Sequence, residues 1–171
     1  MSFFDDGQSQ RGEGLDGRLS FSLEPMLGVV PFVVLRAGAT SSLTLGAGIA
    51  SRADVAGATL TLRHPGVWLI FGKFEFVGSG VGDENSIGVG ELTIDGVVNT
   101  FDRALYELVR EGNFARATVS SMWIHRKESL GPEVAQLIGY KSLPATGTSI
   151  IQATDTSVIA WTVPGSETLP T

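Results

Sequence analysis

Two histidines, His64 and His125, are the only imidazoles in this 171-residue chain, and there is no cysteine. A zinc-type site needs several convergent nitrogen or sulfur ligands, so two isolated histidines do not make one. His64 belongs to His64-Pro65-Gly66, a turn sequence. His125 sits in Trp123-Ile124-His125-Arg126-Lys127, where a surface position at a strand end is the simpler reading. A Ser-His-Asp arrangement is not barred by composition, but the strand-turn-helix nucleophile elbow G-x-S-x-G is missing. Asp83, Glu84 and Asn85 supply hard oxygens that suit Ca²⁺, yet they lack the alternating spacing of a calcium loop, and a solvated turn outweighs a metal site. Gly78-Ser79-Gly80-Val81-Gly82 has the glycines of a phosphate loop without its lysine or following helix. Glu75 and Glu91 are candidates for a pair of glycosidic carboxylates, but nothing sets them ~5–9 Å apart. Trp68, Trp123 and Trp161 could form a sugar platform; a core or subunit-interface role is the better reading, because aromatics dominate both. The expectation is therefore a non-enzymatic protein without cofactor or metal.

The bulk numbers agree with a packed domain. Hydrophobic residues make up 43% and charged residues only 18%, below the usual quarter. The 22 glycines favour many turns over long helices. A net charge of −6 disfavours nucleic acid as a partner, since that needs clustered Lys and Arg. The longest apolar run, Met26 to Leu35, is broken by Pro31 and falls short of the ~20 residues that span a bilayer. The first residues lack the basic-then-apolar order of a signal peptide.

Period-two alternation carries the secondary structure. Residues 1–18 are acidic and glycine-rich and read as an arm, ordered only against a partner. Residues 19–27 alternate, and 28–35 form an edge strand or extended linker because of Pro31. Strands are expected within 41–49, 58–63, 67–77, 87–94, from 97, within 115–126, 134–140, at 150–151 and over 157–163. Asp95-Gly96 is a hairpin turn. Residues 101–110 fit a helical face or a strand, and the flanking strands favour a strand. The sum is an all-β, antiparallel β-sandwich of the jelly-roll type, eight to ten strands, with an extended N-terminal arm. The expected divisions are arm and edge strand 1–35, jelly roll 36–164 and polar tail 165–171.

His64-Pro65-Gly66-Val67-Trp68-Leu69-Ile70-Phe71 resembles the PGVY-L-F signature of the globular heads of complement component q. Leu92-Thr93-Ile94-Asp95-Gly96-Val97 resembles the strand and turn that follow it there. Gly131 to Leu137 and Ser157 to Trp161 take the places of two later family strands, though Pro132, Ile159 and Trp161 depart from the pattern. The likeness covers about residues 45–164. It implies the ten-stranded jelly roll shared with the tumour necrosis factor superfamily, and a homotrimer. Similar jelly rolls in bacteriophages imply a virion location, with assembly in the host cytoplasm, and a role as capsid decoration or head-fibre protein. The major capsid protein or another virion protein would be the partner. A carbohydrate- or receptor-binding module that recognises a host-surface glycan is the alternative.

Five successive apolar residues, Val67 to Phe71, must cover both faces of their strand. One face would supply the core and the other would meet a neighbouring subunit. The residues expected at that interface are Trp68, Ile70, Phe74, Trp123 and Trp161, and those expected in the attachment arm are Phe3, Phe4, Leu15 and Phe21.

Overall fold

Alternation is realised almost everywhere it was expected. The computed structural model describes residues 32–79, 87–107, 115–142, 148–164 and 166. Among these are ten strands: β1 (Val34–Gly38), β2 (Leu43–Thr44), β3 (Ala53–Leu62), β4 (Gly66–Ser79), β5 (Ile87–Ile94), β6 (Val97–Glu107), β7 (Ala115–Lys127), β8 (Glu133–Lys141), β9 (Thr148–Ile151) and β10 (Ser157–Thr162). One 3₁₀ turn, Ile49–Ser51, lies between β2 and β3. No helix among the described residues is long and apolar enough to cross a membrane.

The strands form two antiparallel sheets. The first has the order β1-β10-β4-β9-β2, with β7 on the other side of β4; the second has the order β3-β8-β5-β6. β4 organises the first sheet. It pairs with β7 along 13 residues, Gly66↔Lys127 to Gly78↔Ala115. Its other edge is shared, with β10 on Trp68–Lys73 and β9 on Phe76–Ser79. The division expected at 35/36 falls inside β1, whose Val34 and Leu35 pair with Trp161 and Ala160.

The core lies between the two inner faces. From β4 come Trp68, Ile70, Phe74 and Phe76, all fully buried, and Trp123 comes from β7. They meet Leu60, Leu62, Leu92, Ala104, Ala135 and Leu137 of the second sheet. Both buried indole N–H groups are satisfied: Trp68 Nε1 donates to the His64 carbonyl at 3.0 Å and Trp123 Nε1 to the Asp102 carbonyl at 2.5 Å. Large aromatic rings on β4 need small residues opposite. A Cβ on Gly90 would stand 2.7 Å from three carbons of the Phe74 ring, and one on Gly88 would stand 2.8 Å from Phe76.

The ambiguous 101–110 stretch is strand as far as Glu107; residues 108–110 lie outside the described residues. β6 begins at the Asp95-Gly96 turn, where both central residues have positive φ (49° and 79°), as a type I′ hairpin requires. β3 starts earlier than expected, at Ala53, because the strand absorbs an irregularity between Asp54 and Thr59. Gly57 sits there at φ +84°, and Asp and Gly weaken the strand signal in sequence.

Gly90→Val should lower the urea unfolding free energy by about 1–3 kcal/mol, the ordinary cost of overpacking a core. Gly131→Ala, where a Cβ meets nothing within 4 Å, should leave the urea midpoint unchanged.

Candidate functional site

The outer face of the first sheet is where apolar surface collects. Side chains of odd-numbered β4 residues point away from the core, and register aligns them with outward residues of the neighbouring strands. One row across the sheet reads Val34, Trp161, Leu69, Ile124; the next reads Arg36, Ile159, Phe71, Met122. Phe71 and Trp161 stack with centroids 4.7 Å apart. Ile124 is 63% exposed, Val34 55% and Met122 45%. The third row is polar: Gly38, Ser157, Lys73, Ser120.

Below the third row β10 gives way to β9. Five residues, 152–156, face only Phe74 and Glu75 on β4, so the chain arches outward. The Gln152 N–H donates to the Glu75 carbonyl at 2.8 Å, and the Glu75 N–H donates to Thr156 Oγ1 at 3.1 Å. Ala39 N–H donates to the Thr156 carbonyl at 2.9 Å, and Ser42 Oγ binds both Gln152 Oε1 and the Ala153 N–H at 3.2 Å. Under the arch Glu75 is 2% exposed, with Arg116 Nε on its Oε1. That hydrogen bond raises the Arg116 pKa further, with the Glu75 charge second. Glu75 Oε2 is buried without a partner among the described residues.

Glu91 lies on the opposite, outer face of the second sheet. It is fully buried between Arg52 (Nε–Oε2 2.7 Å, Nη2–Oε1 3.2 Å) and Arg103 (Nε–Oε1 2.7 Å). The hydrogen bond to Glu91 raises the Arg52 pKa and outweighs the opposing effect of burial. Arg52 also lies over the Tyr140 ring, 5.4 Å from its centroid. Glu75 and Glu91 therefore point away from each other on opposite sides of a sandwich whose sheets pack ~10 Å apart. They cannot flank one glycosidic bond.

At one end of the sandwich four polar residues close the β7–β8 turn. His125 Nε2 and Ser129 Oγ each lie 2.6 Å from a different oxygen of Glu133. Lys127, 1% exposed, donates to Ser129 Oγ at 2.8 Å and to the Ser129 carbonyl. Serine and histidine meet only through the carboxylate, so His125 has no hydroxyl to deprotonate, and the cluster ties down a turn. Burial alone would raise the Glu133 pKa; hydrogen bonds from Ser129 and His125, then the charges of His125 and Lys127, outweigh it and hold the carboxyl below its usual range. Among the described residues, no group of three or more His, Asp or Glu could hold a metal ion.

The structure redirects the expected interface. Trp68, Ile70, Phe74 and Trp123 are fully buried in the protomer's own core and offer a second subunit nothing. Trp161 alone of that set faces outward. The strand was identified and its parity inverted: the outward residues are Val67, Leu69 and Phe71. The signal available in sequence was Lys73 and Glu75, the charged residues on the same side of the alternation. With Trp68 and Trp123 buried, the core role preferred to a sugar platform holds for two of the three tryptophans. Phe3, Phe4, Leu15 and Phe21 of the arm, and Asp83, Glu84 and Asn85, lie outside the described residues. The buried Glu91 clamp was missed because Arg52 is far from it in sequence, and the Glu133 cluster because the local run from His125 to Glu133 has no motif spacing to mark it.

No family model matches the chain, and no curated protein does. Solved structures do. A structure of Eiger TNF from S. frugiperda aligns with TM-score 0.53 and 13% identity over 83% of this chain and 99% of that one. Murine APRIL aligns with TM-score 0.49 and 9% identity, over 78% of this chain and 100% of that one. The infectious bursal disease virus Gx strain structure aligns with TM-score 0.49 and 12% identity, over 87% of this chain and 38% of that one. At 13% identity the likeness to Eiger TNF concerns the fold, and the fold is a tumour necrosis factor-like jelly roll.

The Glu133 cluster gives a signed pH dependence. Because its folded-state pKa is depressed, its stabilisation is complete above the unfolded carboxyl pKa of ~4.3 and is lost as pH falls through the lower folded value. The stability gap between wild type and Glu133→Gln, measured by urea titration, should close steadily as pH falls from about 5 to below about 4.

Proposed function

We propose that this chain is a non-enzymatic assembly protein whose jelly roll forms a homotrimer through the outer face of the first sheet. The observation that carries the proposal is the contiguous apolar surface of Leu69, Phe71, Met122, Ile124, Ile159 and Trp161, two registered rows deep across three strands. A soluble monomer seldom leaves such a surface bare, and core-like apolar faces are what obligate homo-oligomers bury. A closed symmetric oligomer covers the face without leaving an open end. The titratable groups support the same reading: both buried glutamates are held by arginines, and the Ser129 hydroxyl, with Glu133 and Lys127, is taken up in closing the β7–β8 turn.

The place of assembly we propose is a virion. The protein would be a capsid decoration protein or a head-fibre component of a bacteriophage, with the major capsid protein or another virion protein as partner. This rests on the resemblance of the Pro-Gly-aromatic strand and on the jelly-roll fold. Residues 1–35 are the proposed attachment arm, though Val34 and Leu35 also belong to β1.

Size-exclusion chromatography with light scattering at micromolar concentration should give three times the 18.0 kDa chain mass. Phe71→Arg combined with Ile124→Arg should give a folded monomer, with the far-UV circular dichroism of wild type. A wild-type monomer would refute the trimer. Deleting residues 1–18 should leave the mass per oligomer at three chains and abolish particle binding; full occupancy of particles by the truncated protein would remove the arm from the mechanism.

A further inference from the structure

The arch of residues 152–156 roofs a polar cleft of about 180 Å³ beside β1 and β4, lined among others by Arg36, Gly38, Lys73, Thr154, Asp155 and Ser157. It is a prepared surface rather than a loose loop. Each end of the arch is bonded to the Glu75 backbone, and the β1–β2 connection holds it through Ala39 and Ser42. The backbone of the arch is thus fixed before a ligand enters, and only the exposed side chains of the lining would be ordered on binding.

We infer that this cleft binds a small monoanionic polyol, a sugar acid, through its carboxylate. Arg36 projects from the edge strand, exposed, with no partner among the described residues. A guanidinium fork matches a carboxylate in two parallel hydrogen bonds. Lys73 is the second cation. Its contact with Asp155 is long, 3.3 Å, and both side chains are more than two-fifths exposed, so the pair is weak enough for Lys73 to share its donors with an anion. The two cations against Asp155 leave one net positive charge in the cleft. That suits a single carboxylate; the second charge of a phosphate monoester would face Asp155.

The remaining groups suit hydroxyls. Asp155 accepts from them, and the Thr154 and Ser157 side chains both donate and accept. A purely anionic ligand would have no use for a carboxylate in the wall; a polyol would. The cleft goes beyond the proposed assembly role: apart from Arg36, which stands on the edge strand at the end of the second row, its lining lies in and below the polar third row, while the apolar contact surface occupies the β10, β4 and β7 positions of the first two. The two features can be tested separately on one preparation.

The test is ligand-observed saturation-transfer NMR on the full chain at constant ionic strength, with glucuronate as probe and glucose, acetate and glucose 6-phosphate as comparators. Glucuronate should bind saturably, at least tenfold more tightly than any of the three. Arg36→Gln and, separately, Lys73→Gln should each weaken it at least tenfold, with light-scattering mass and circular dichroism unchanged. Absence of saturable glucuronate binding overturns the inference, including the case in which a second copy of the chain fills the cleft. So does equal binding of glucose or acetate, tighter binding of glucose 6-phosphate, or full affinity in both folded variants. The oligomer mass read from the same samples tests the trimer independently, so failure of one leaves the other standing.

Discussion

β4 is apolar on both sides at one end, and the rest of the sandwich is arranged around that constraint. Side chains alternate with a period of two, so Val67 to Phe71 cannot all point inward. Trp68 and Ile70 enter the core, and Val67, Leu69 and Phe71 face out. Further along, the outward positions become Lys73 and Glu75 while Phe74 and Phe76 continue inward. The strand therefore has one continuous inner face and a divided outer one. Its inner face fixes what the second sheet can be: Gly88 and Gly90 stand opposite Phe76 and Phe74 because any Cβ would collide with the rings. Its outer face fixes where apolar surface accumulates, because β10 and β7 place Ile159, Trp161, Met122 and Ile124 in the same rows.

The change in character along the outer face coincides with a change of partner. Where β4 is apolar outside, β10 pairs with it in regular register. Where it turns charged, the partner chain bulges away at residues 152–156 and resumes as β9. A ladder interrupted by five residues against two leaves backbone groups that must be paired otherwise. Glu75 solves this with Gln152 and Thr156, and Arg116 neutralises its side chain from β7. The arch is thus a consequence of placing a buried carboxylate in a sheet face, and the polar cleft beside it is a consequence of the arch.

Much of this was legible in sequence. Alternation located β5, β7, β8 and β10 closely, and Asp95-Gly96 marked the hairpin because both residues tolerate positive φ. Count and spacing of strands pointed to a sandwich or jelly roll, and the resemblance of the Pro-Gly-aromatic strand implied the jelly roll. What failed was parity and partnership. Trp68 and Leu69 are both apolar, and the signal that decides which faces inward, Lys73 and Glu75 on the Leu69 side of the alternation, lies further along the strand. Bulk argued for tryptophan at an interface, whereas the core took it, since a two-sheet sandwich with glycine-rich facing strands has room for large rings. The salt-bridge clamp on Glu91 joins β5 and β6 to Arg52, just ahead of β3, and no local spacing carries that information. β3 was shortened because Asp54 and Gly57 look like loop residues, yet they occupy a bulge inside the strand.

The distribution of charge supports the proposed assembly role. Catalytic sites keep titratable groups strained, unpaired or matched to a proton-transfer partner. Here the buried Glu91 is clamped by two arginines, and Glu133 is pinned by a serine and a histidine that stabilise its charged form. Those groups serve as ties between strands and turns. The outer face of the first sheet carries the opposite pattern: Met122 and Ile124 are exposed there, and Leu69, Phe71, Ile159 and Trp161 are half-buried. A surface with few charges and registered aromatics gains free energy chiefly by burial, and burial against a symmetric copy extends along the whole row. In the proposed oligomer the polar third row and the arch would bound that contact on one side, so the strand that carries the apolar rows also carries their limit.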